Sequence, residues 1–397
     1  MKFSSKILKC QLSPVRKFNP CADQAVAAGR TIYHLNIGQP DVKTPESFYQ
    51  AVREFREPTL EYAPASGLPA YIDAVRGYYA KLGVKLERED ILATSGGGEA
   101  LEFIMACILD DGDELLVPEP FYANYNTFTF MSGGVIHPIP TSADNGYRFA
   151  DRKLIESQIN ERTRAILVTN PGNPTGLVLT HEEMRVIADV VKEHDLFLVA
   201  DEVYREFIYD DEPMGTFCEM EDIKDHVIVV DSISKRFSAC GARIGSIISR
   251  NREFMAEAMK LCQGRLCTAT LDQTGAAAMY EHVQPSYFKE VRDEYKKRRD
   301  AVVEELNKIP GTKFHTPDGA FYMMVTLPVD DVEKLQYFLL EEFEDNGDTV
   351  MYAPGSGFYA DGRSEIRIAY VHNCDYLRRA IQLLGKGIAA YNAKRGA

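Results

Sequence analysis

Short apolar runs alternate with amphipathic segments in the middle of the chain, from about residue 90 to residue 249. Five continuous apolar runs predict strands, namely 91–94, 114–117, 165–169, 196–200 and 227–230. Residues 182–193 have helical spacing instead, because their apolar side chains recur every three or four positions from Met184 to Val191. Apolar runs separated by helices are typical of a mostly parallel sheet covered on both faces. We therefore predict an α/β fold with helices flanking this sheet.

The two ends of the chain differ from this middle part. Residues up to about 40 resemble an extended arm with a short helix, and residues 288–306 predict a long charged helix. Two further strands are expected at 321–326 and 366–369. We predict a large domain from residue 45 to residue 285. Residues 1–44 and 286–397 together would form an N-terminal arm and a smaller α+β domain.

The composition excludes several classes of partner. The 397 residues carry a formal net charge of −14, whereas nucleic-acid binding needs clustered Lys and Arg. Apolar runs are too short to cross a bilayer or to form a secretory signal. The eight cysteines form no CxxC pair and no metal-ligand spacing, as expected for free thiols in a reducing compartment. We expect a cytoplasmic protein without a metal, a membrane or a nucleic-acid partner.

Four polar segments directly follow predicted strands, and ligands in open α/β sheets bind beyond the carboxyl ends of the strands. The first, at 94–101, reads TSGGGEAL and combines a glycine-rich turn with a helix start, which can hold a phosphate. It can also be a plain tight turn. The second, at 170–176, reads NPGNPTG and predicts a rigid loop that holds the Asn173 amide in a fixed direction.

The other two segments supply an acid and an amine. Asp201 follows the strand at 196–200 and is placed to hold a protonated ring nitrogen, or else to cap the next helix. Lys235 lies in the segment 231–237, DSISKRF, with Arg243 eight positions further on. A Lys beside hydroxyls and another cation suits Schiff-base chemistry next to an anion, although a lone Lys is usually solvated.

One ligand meets all of these demands. Its phosphate would lie at the glycine turn, between Ser232, Ser234 and Arg243. Its ring nitrogen would contact Asp201, and its aldehyde would react with Lys235. Pyridoxal phosphate has these three groups and acts as an electron sink, while the protein orients it. We therefore predict pyridoxal phosphate as the cofactor.

The order of the motifs adds a resemblance. Asn-Pro-x-Gly is followed by Asp-x-x-Tyr and then by Ser-x-Ser-Lys with an Arg eight positions later. Each motif alone is weak, but the combination is specific. Over essentially its whole length the chain resembles the class I/II aminotransferases of fold-type I, and among them the aspartate aminotransferases.

The resemblance implies roles for individual residues. Lys235 is expected to form the Schiff base and to move the α-proton, with Asp201 on the pyridinium nitrogen. Tyr204 and Asn173 are expected to donate to the phenolic oxygen, and Asn173 also to contact substrate. The phosphate cup would consist of Gly97, Gly98, Ser232, Ser234 and Arg243, and Tyr122 would stack on the ring.

Three further residues carry expectations about the substrate and the assembly. Arg367 matches the residue that binds the substrate α-carboxylate, and Gly38 matches the glycine that closes over the substrate. Tyr62 matches a Tyr that reaches the phosphate of the neighbouring subunit, which implies a homodimer with shared sites. Alternatively, Tyr62 and Tyr122 are packing aromatics and Arg367 forms a surface ion pair.

The expected activity is ping-pong transfer of an amino group, with aspartate and 2-oxoglutarate as the leading pair. Gly98 stands where some bacterial aspartate-type members carry a Lys for the distal carboxylate. Another branch uses an Arg of the second subunit, and Arg265 lies near that position; Arg16 is a second candidate. The alternatives are a carbon–sulfur β-lyase, an aminotransferase for aromatic or other neutral amino acids, and a non-catalytic ligand sensor.

Overall fold

The structure is a computed structural model that describes residues 1–209, 215–358 and 364–396. The α-helices in these ranges are α1 (Ser5–Lys9), α2 (Asn19–Ala27), α3 (Glu46–Glu54), α4 (Pro69–Lys81), α5 (Gly96–Ile108), α6 (Asn124–Ser132), α7 (Arg152–Gln158), α8 (His181–Glu193), α9 (Ile233–Arg236), α10 (Arg252–Arg265), α11 (Thr270–His282), α12 (Pro285–Leu306), α13 (Val332–Glu341) and α14 (Cys374–Arg395).

The strands are short, and most follow a helix directly. They are β1 (Thr31–His34), β2 (Ile91–Thr94), β3 (Glu114–Pro118), β4 (Val135–Ile139), β5 (Thr163–Thr169), β6 (Phe197–Asp201), β7 (Val227–Ser232), β8 (Gly245–Ile248), β9 (Lys313–Phe314), β10 (Tyr322–Thr326), β11 (Asp348–Met351), β12 (Ala353–Pro354) and β13 (Glu365–Ala369).

A seven-stranded sheet forms the centre of the molecule, in the order β2-β8-β7-β6-β5-β3-β4. The pairs from β7 through β4 are parallel, whereas β8 is antiparallel to both of its neighbours. The prediction of a mostly parallel sheet is confirmed, and all five predicted strands are present within two residues of their expected ends. Strands β4 and β8 were not among the predicted runs.

The continuous apolar runs reflect burial on both faces of this sheet. Leu116, Ile166 and Leu198 pack into one hydrophobic cluster with helices α4, α8 and α11. Leu115 and Val199 face the other side, where they pack with α5 and α10. Because side chains alternate across a strand, a strand buried on both sides has no polar position to break the run.

The chain ends pack together more closely than an extended arm implies. Strand β1 pairs in parallel with β11, and Phe18 of the N-terminal region packs against Leu340 and Met351. The short helix is present as α2, but strand β1 was not predicted, because it forms its hydrogen bonds with a strand more than 300 residues away. A second, antiparallel sheet has the order β12-β13-β10-β9. The domain boundaries at residues 45 and 285 stay a prediction.

A buried ion pair fixes the turn that follows β7. Arg236 donates to the Asp231 carboxylate at 2.9 Å and to the Tyr280 hydroxyl at 2.6 Å, and its guanidinium lies 4.2 Å from the centre of the Tyr78 ring. The Ser232 amide donates to the other Asp231 oxygen at 2.7 Å. A buried charge of this kind is tolerated only when it is paired and hydrogen-bonded. The pair therefore anchors both ends of the segment that carries Lys235.

In the described part of the chain, no helix is both long enough and apolar enough to cross a membrane. All eight cysteines are free thiols. The cytoplasmic location stays a prediction.

Candidate active site

A cavity of about 680 Å³ opens at the carboxyl ends of β6 and β7 and reaches the N-terminal segment and the second sheet. It brings together most of the residues singled out in the sequence. These are Arg16, Gly38, Gly97, Gly98, Tyr122, Asn173, Asp201, Tyr204, Ser232, Ser234, Lys235, Arg243 and Arg367. Segments that are far apart in sequence converge here because parallel strands end at the same edge of the sheet.

One side of the cavity is a cup for an anion. Helix α5 begins at Gly96, so the amides of its first turn lack helical partners and point toward the cavity. The Arg243 guanidinium lies against this turn, so a Cβ atom at Gly96 would come within 2.7 Å of its Nη2. Gly96 also has a φ of +81°, which favours glycine. Ser232 and Ser234, whose hydroxyls are 2.9 Å apart, complete the cup.

Asp201 forms the floor of the cavity at the end of β6. Its side chain is buried, and it accepts from the Tyr125 hydroxyl at 2.7 Å and more weakly from the Val203 amide at 3.4 Å. Burial raises the pKa of the Asp201 carboxyl to about 6. Both donors are neutral, so the carboxylate still lacks a hydrogen-bonded cation among the described residues. A protonated ring nitrogen would supply one.

Tyr125 was missed in the sequence. It lies in α6, its side chain is fully buried, and its hydroxyl bridges Thr169 and Asp201. The pattern gave one signal, a second Tyr three positions after Tyr122. The two rings pack edge to face with their centres 5.4 Å apart. Tyr125 thus supports both the carboxylate and the ring expected to stack on the cofactor.

Lys235 points into the cavity and is half-buried, unlike a solvated surface Lys. Its amine donates to the carbonyl oxygen of Gly38 at 2.9 Å and lies 3.8 Å from the Cys240 thiol. The Gly38 contact ties the N-terminal segment to the lysine. Cys240 also lines the cavity, although its spacing in the sequence gave no such signal.

Arg367 is placed to bind a carboxylate. It is only 4% exposed, which excludes a surface ion pair. Its two terminal nitrogens donate to Asn173 Oδ1 at 3.1 Å and to the Asn36 carbonyl at 2.8 Å, and its guanidinium packs over Tyr322 and Phe358. Its Nε atom is buried without a hydrogen-bond partner among the described residues. Such an orphaned charged donor indicates a ligand that accepts from it.

Asn173 and Tyr204 form a pair on the same wall. The Asn173 amide donates to the Tyr204 hydroxyl at 3.3 Å, and the Tyr204 hydroxyl lies 3.1 Å from that of Tyr322. Burial is the largest cause that raises the pKa of Tyr204 well above its usual range. Tyr204 therefore keeps its proton and acts as a hydrogen-bond donor.

Two predicted residues lie away from this cavity. Tyr62 is 80% exposed and lines a separate groove with residues 267–270. Arg265 is bonded to Glu99 at 2.7 Å and to the carbonyls of Ala65 and Ala93. Within its own chain, Arg265 supports the glycine-rich turn from behind.

The residues present fit pyridoxal phosphate. The cup suits a phosphate, the buried carboxyl of Asp201 suits a ring nitrogen, and the amine of Lys235 suits an aldehyde. The Tyr204 and Asn173 donors suit the phenolic oxygen. The site therefore has the groups of a pyridoxal-phosphate enzyme that acts on a carboxylate-bearing amine.

Comparison with known proteins gives the family. The model for aminotransferase class I and II matches residues 30–384, and the chain belongs to this family. A probable aspartate/prephenate aminotransferase of Aquifex aeolicus is 30% identical over 395 residues, which cover 97% of this chain and 98% of the relative. The aspartate aminotransferase of Bacillus subtilis is 26% identical over 402 residues, covering 99% and 100%.

Solved structures agree with this assignment. The aspartate aminotransferase of Thermus thermophilus with maleate has a TM-score of 0.89 at 27% identity, covering 98% of this chain and 100% of that chain. That of Rhizobium meliloti has a TM-score of 0.90 at 26% identity, covering 98% and 99%. The protein is a pyridoxal-phosphate-dependent aminotransferase of fold-type I.

The raised pKa of Asp201 leads to a stability prediction for the cofactor-free protein. Because the folded-state pKa of about 6 exceeds that of an unfolded Asp, about 4, ionisation of Asp201 opposes folding. This cost grows as the pH rises from the unfolded to the folded pKa and is constant at higher pH. Asp201→Asn should stabilise the cofactor-free protein by about 3 kcal/mol at pH 8 and by roughly half of that at pH 5. Urea unfolding at the two pH values measures the difference.

The exposed Asp23 provides the control, since Asp23→Asn removes a carboxyl group that is not buried. The free energy of unfolding of Asp23→Asn should change between pH 8 and pH 5 by the same amount as that of wild type. A stability gain for Asp201→Asn that is equal at both pH values would contradict the account of this carboxyl group.

Proposed function

We propose that the enzyme transfers the amino group of a dicarboxylic amino acid, with aspartate as the leading donor and 2-oxoglutarate as the acceptor. One observation carries this proposal. Arg16 lies in the same cavity as Arg367, and its guanidinium forms no ion pair with a described residue. A substrate with two carboxylates is the ligand that uses both guanidinium groups.

The charges of the cavity support this assignment. Its lining carries four cationic side chains and one acidic side chain, namely Arg16, Lys235, Arg243, Arg367 and Asp201. Arg243 would pair with the phosphate, and Lys235 would bond to the cofactor. The α-carboxylate of the substrate would satisfy Arg367. Arg16 then remains for a second carboxylate, which aspartate, glutamate and 2-oxoglutarate all carry.

The remaining residues would position the reaction. Pyridoxal phosphate supplies the electron sink when it is bound. Lys235 would hold the cofactor as its Schiff base and would move the proton at the substrate Cα atom. Asp201 would keep the ring nitrogen protonated, Tyr122 would stack on the ring, and Asn173 would orient both the phenolic oxygen and Arg367. Gly38 would close the cavity above Lys235.

The relatives and neighbours support the same substrate class. Several are named aspartate aminotransferases, and one neighbour was solved with maleate, which is a dicarboxylate. The other candidate for the distal carboxylate, Arg265, is bonded to Glu99 in this structure. We therefore propose Arg16 for this role.

Replacement of Arg16 tests the substrate class. Arg16→Gln should lower kcat/KM for aspartate and 2-oxoglutarate about 10- to 100-fold, because a charge-assisted pair to the distal carboxylate is lost. The same variant should leave alanine and pyruvate nearly unaffected, since they have no second carboxylate. Steady-state kinetics with both substrate pairs measure the ratio.

The neighbouring Lys17 provides the matched control. It is also cationic and exposed, but it pairs with Glu333 at 2.5 Å outside the cavity. Lys17→Gln should leave both substrate pairs unchanged. Equal loss for aspartate and alanine in Arg16→Gln, or the selective loss in Arg265→Gln instead, would contradict the role of Arg16.

We also propose that the enzyme is a homodimer with shared sites. Tyr62 is exposed beside a groove lined by Leu60 and Cys267, away from the cavity of its own chain. A large exposed aromatic side chain of this kind is typical of an interface with a second subunit. In a dimer, the hydroxyl of Tyr62 would reach the phosphate cup of the neighbouring subunit. Each site would then need one residue from the other chain.

Mixing two impaired variants tests for shared sites. Tyr62→Ala and Lys235→Ala should each be impaired alone, since one weakens the phosphate contact and the other removes the amine. In a mixed dimer, one site would combine an intact Lys235 with an intact Tyr62. Random reassociation should restore about a quarter of the wild-type activity. No gain over the separate variants, with a monomer in sedimentation velocity, would contradict shared sites.

A further inference from the structure

The Tyr322 hydroxyl joins three parts of the site. Tyr322 is the first residue of β10, pairs in register with Ala369 and is 3% exposed. Its hydroxyl lies 3.1 Å from the Tyr204 hydroxyl and 3.4 Å from the Gly38 carbonyl oxygen. A Cβ atom at Gly38 would come within 1.8 Å of the Tyr322 oxygen, so the N-terminal segment packs directly against this hydroxyl.

The ring of Tyr322 faces the carboxylate-binding residue. The Arg367 guanidinium lies 4.4 Å from the centre of this ring and donates to Asn173 Oδ1 at 3.1 Å. The Asn173 amide donates in turn to Tyr204. Arg367, Asn173, Tyr204 and Tyr322 therefore form a closed circuit of contacts, in which Tyr322 contacts both the substrate-binding Arg and the donor to the cofactor.

Two hydroxyl groups, those of Tyr204 and Tyr322, can donate here, and the acceptors present decide to which atom each one donates. Tyr204 keeps its proton, and an anionic phenolic oxygen is a stronger acceptor for it than a neutral hydroxyl. When Tyr204 donates to the cofactor, its oxygen can accept from Tyr322. This contact is shorter than that between Tyr322 and Gly38, at 3.1 Å against 3.4 Å. A hydroxyl that accepts a hydrogen bond becomes a stronger donor.

We infer that Tyr322 is a positioning residue, whose hydroxyl orients Tyr204 toward the phenolic oxygen of the cofactor and strengthens the hydrogen bond that Tyr204 donates there. The inference rests on the cofactor contacts given under the proposed function. Tyr322 itself acts through Tyr204. The ring of Tyr322 also supports Arg367. Tyr322 would therefore position both Tyr204, which contacts the phenolic oxygen, and Arg367, which contacts the substrate carboxylate.

Tyr322→Phe tests this inference, since it keeps the ring under Arg367 and removes only the hydroxyl. The measurement is the pH midpoint of the absorbance change of the cofactor bound to the enzyme, without substrate. A weaker donor stabilises the ionised phenolic oxygen less. The midpoint should therefore rise by roughly half to one pH unit relative to wild type.

Tyr370→Phe is the matched control. Tyr370 is also a buried Tyr of this region, but its hydroxyl contacts the Ala320 carbonyl at 3.5 Å and lies outside the circuit. Its midpoint should equal that of wild type. A bound cofactor whose midpoint does not move in Tyr322→Phe would overturn the inference, and so would an equal shift in Tyr370→Phe.

A double variant separates action through Tyr204 from an independent effect. Tyr204→Phe should raise the midpoint more than Tyr322→Phe does, and the double variant should show no further shift. Additive shifts would mean that Tyr322 acts on the cofactor independently, and would overturn the inference. Failure of wild type to bind pyridoxal phosphate would instead overturn the proposed cofactor site, so the two failures are distinguishable.

Discussion

This site depends on one constraint, a buried carboxylate that has no hydrogen-bonded cation among the described residues. Asp201 lies at the end of β6, fixed by the parallel ladder on both sides, and the burial that raises its pKa opposes its ionisation. A protonated ring nitrogen would relieve this cost, so binding energy would be gained at the proposed anchor of the cofactor. The buried carboxylate thus lowers the stability of the cofactor-free protein and favours binding of a cation, and such perturbed groups are common at functional sites.

The fold arranges the other groups around this carboxylate. Strands β5, β6 and β7 end at one edge and deliver the loop with Asn173, then Asp201, then Lys235. The buried pair of Asp231 and Arg236 fixes the turn at Lys235. The second sheet contributes Arg367 and Tyr322, which close the cavity from the opposite side. Rigid strands would therefore hold the proposed cofactor contacts, while the chain ends would supply the proposed contacts to substrate.

The sequence predicted those parts of the site that follow a strand directly. Apolar runs located the strands, and the polar residue at each end could be read as a ligand group, as for Asp201 and Lys235. Tyr125 and Tyr322 could not be found in this way, because a buried Tyr in a helix or strand has the same local pattern whether it packs or donates. The β1–β11 pairing and the burial of Arg367 depend on contacts distant in sequence. The sequence offered Arg265 and, as a second candidate, Arg16 for the distal carboxylate, and of the two the structure places Arg16 in this cavity.

The absorbance spectrum of the purified enzyme, recorded before and after addition of L-aspartate, tests the central claim most directly. The account predicts a visible or near-ultraviolet band of the lysine-bound cofactor that is absent in Lys235→Ala. Aspartate should shift this band to the shorter wavelength of pyridoxamine phosphate, and 2-oxoglutarate should restore it. A band that aspartate leaves unchanged would contradict the proposed donor. No band after addition of pyridoxal phosphate would contradict the assignment of the site.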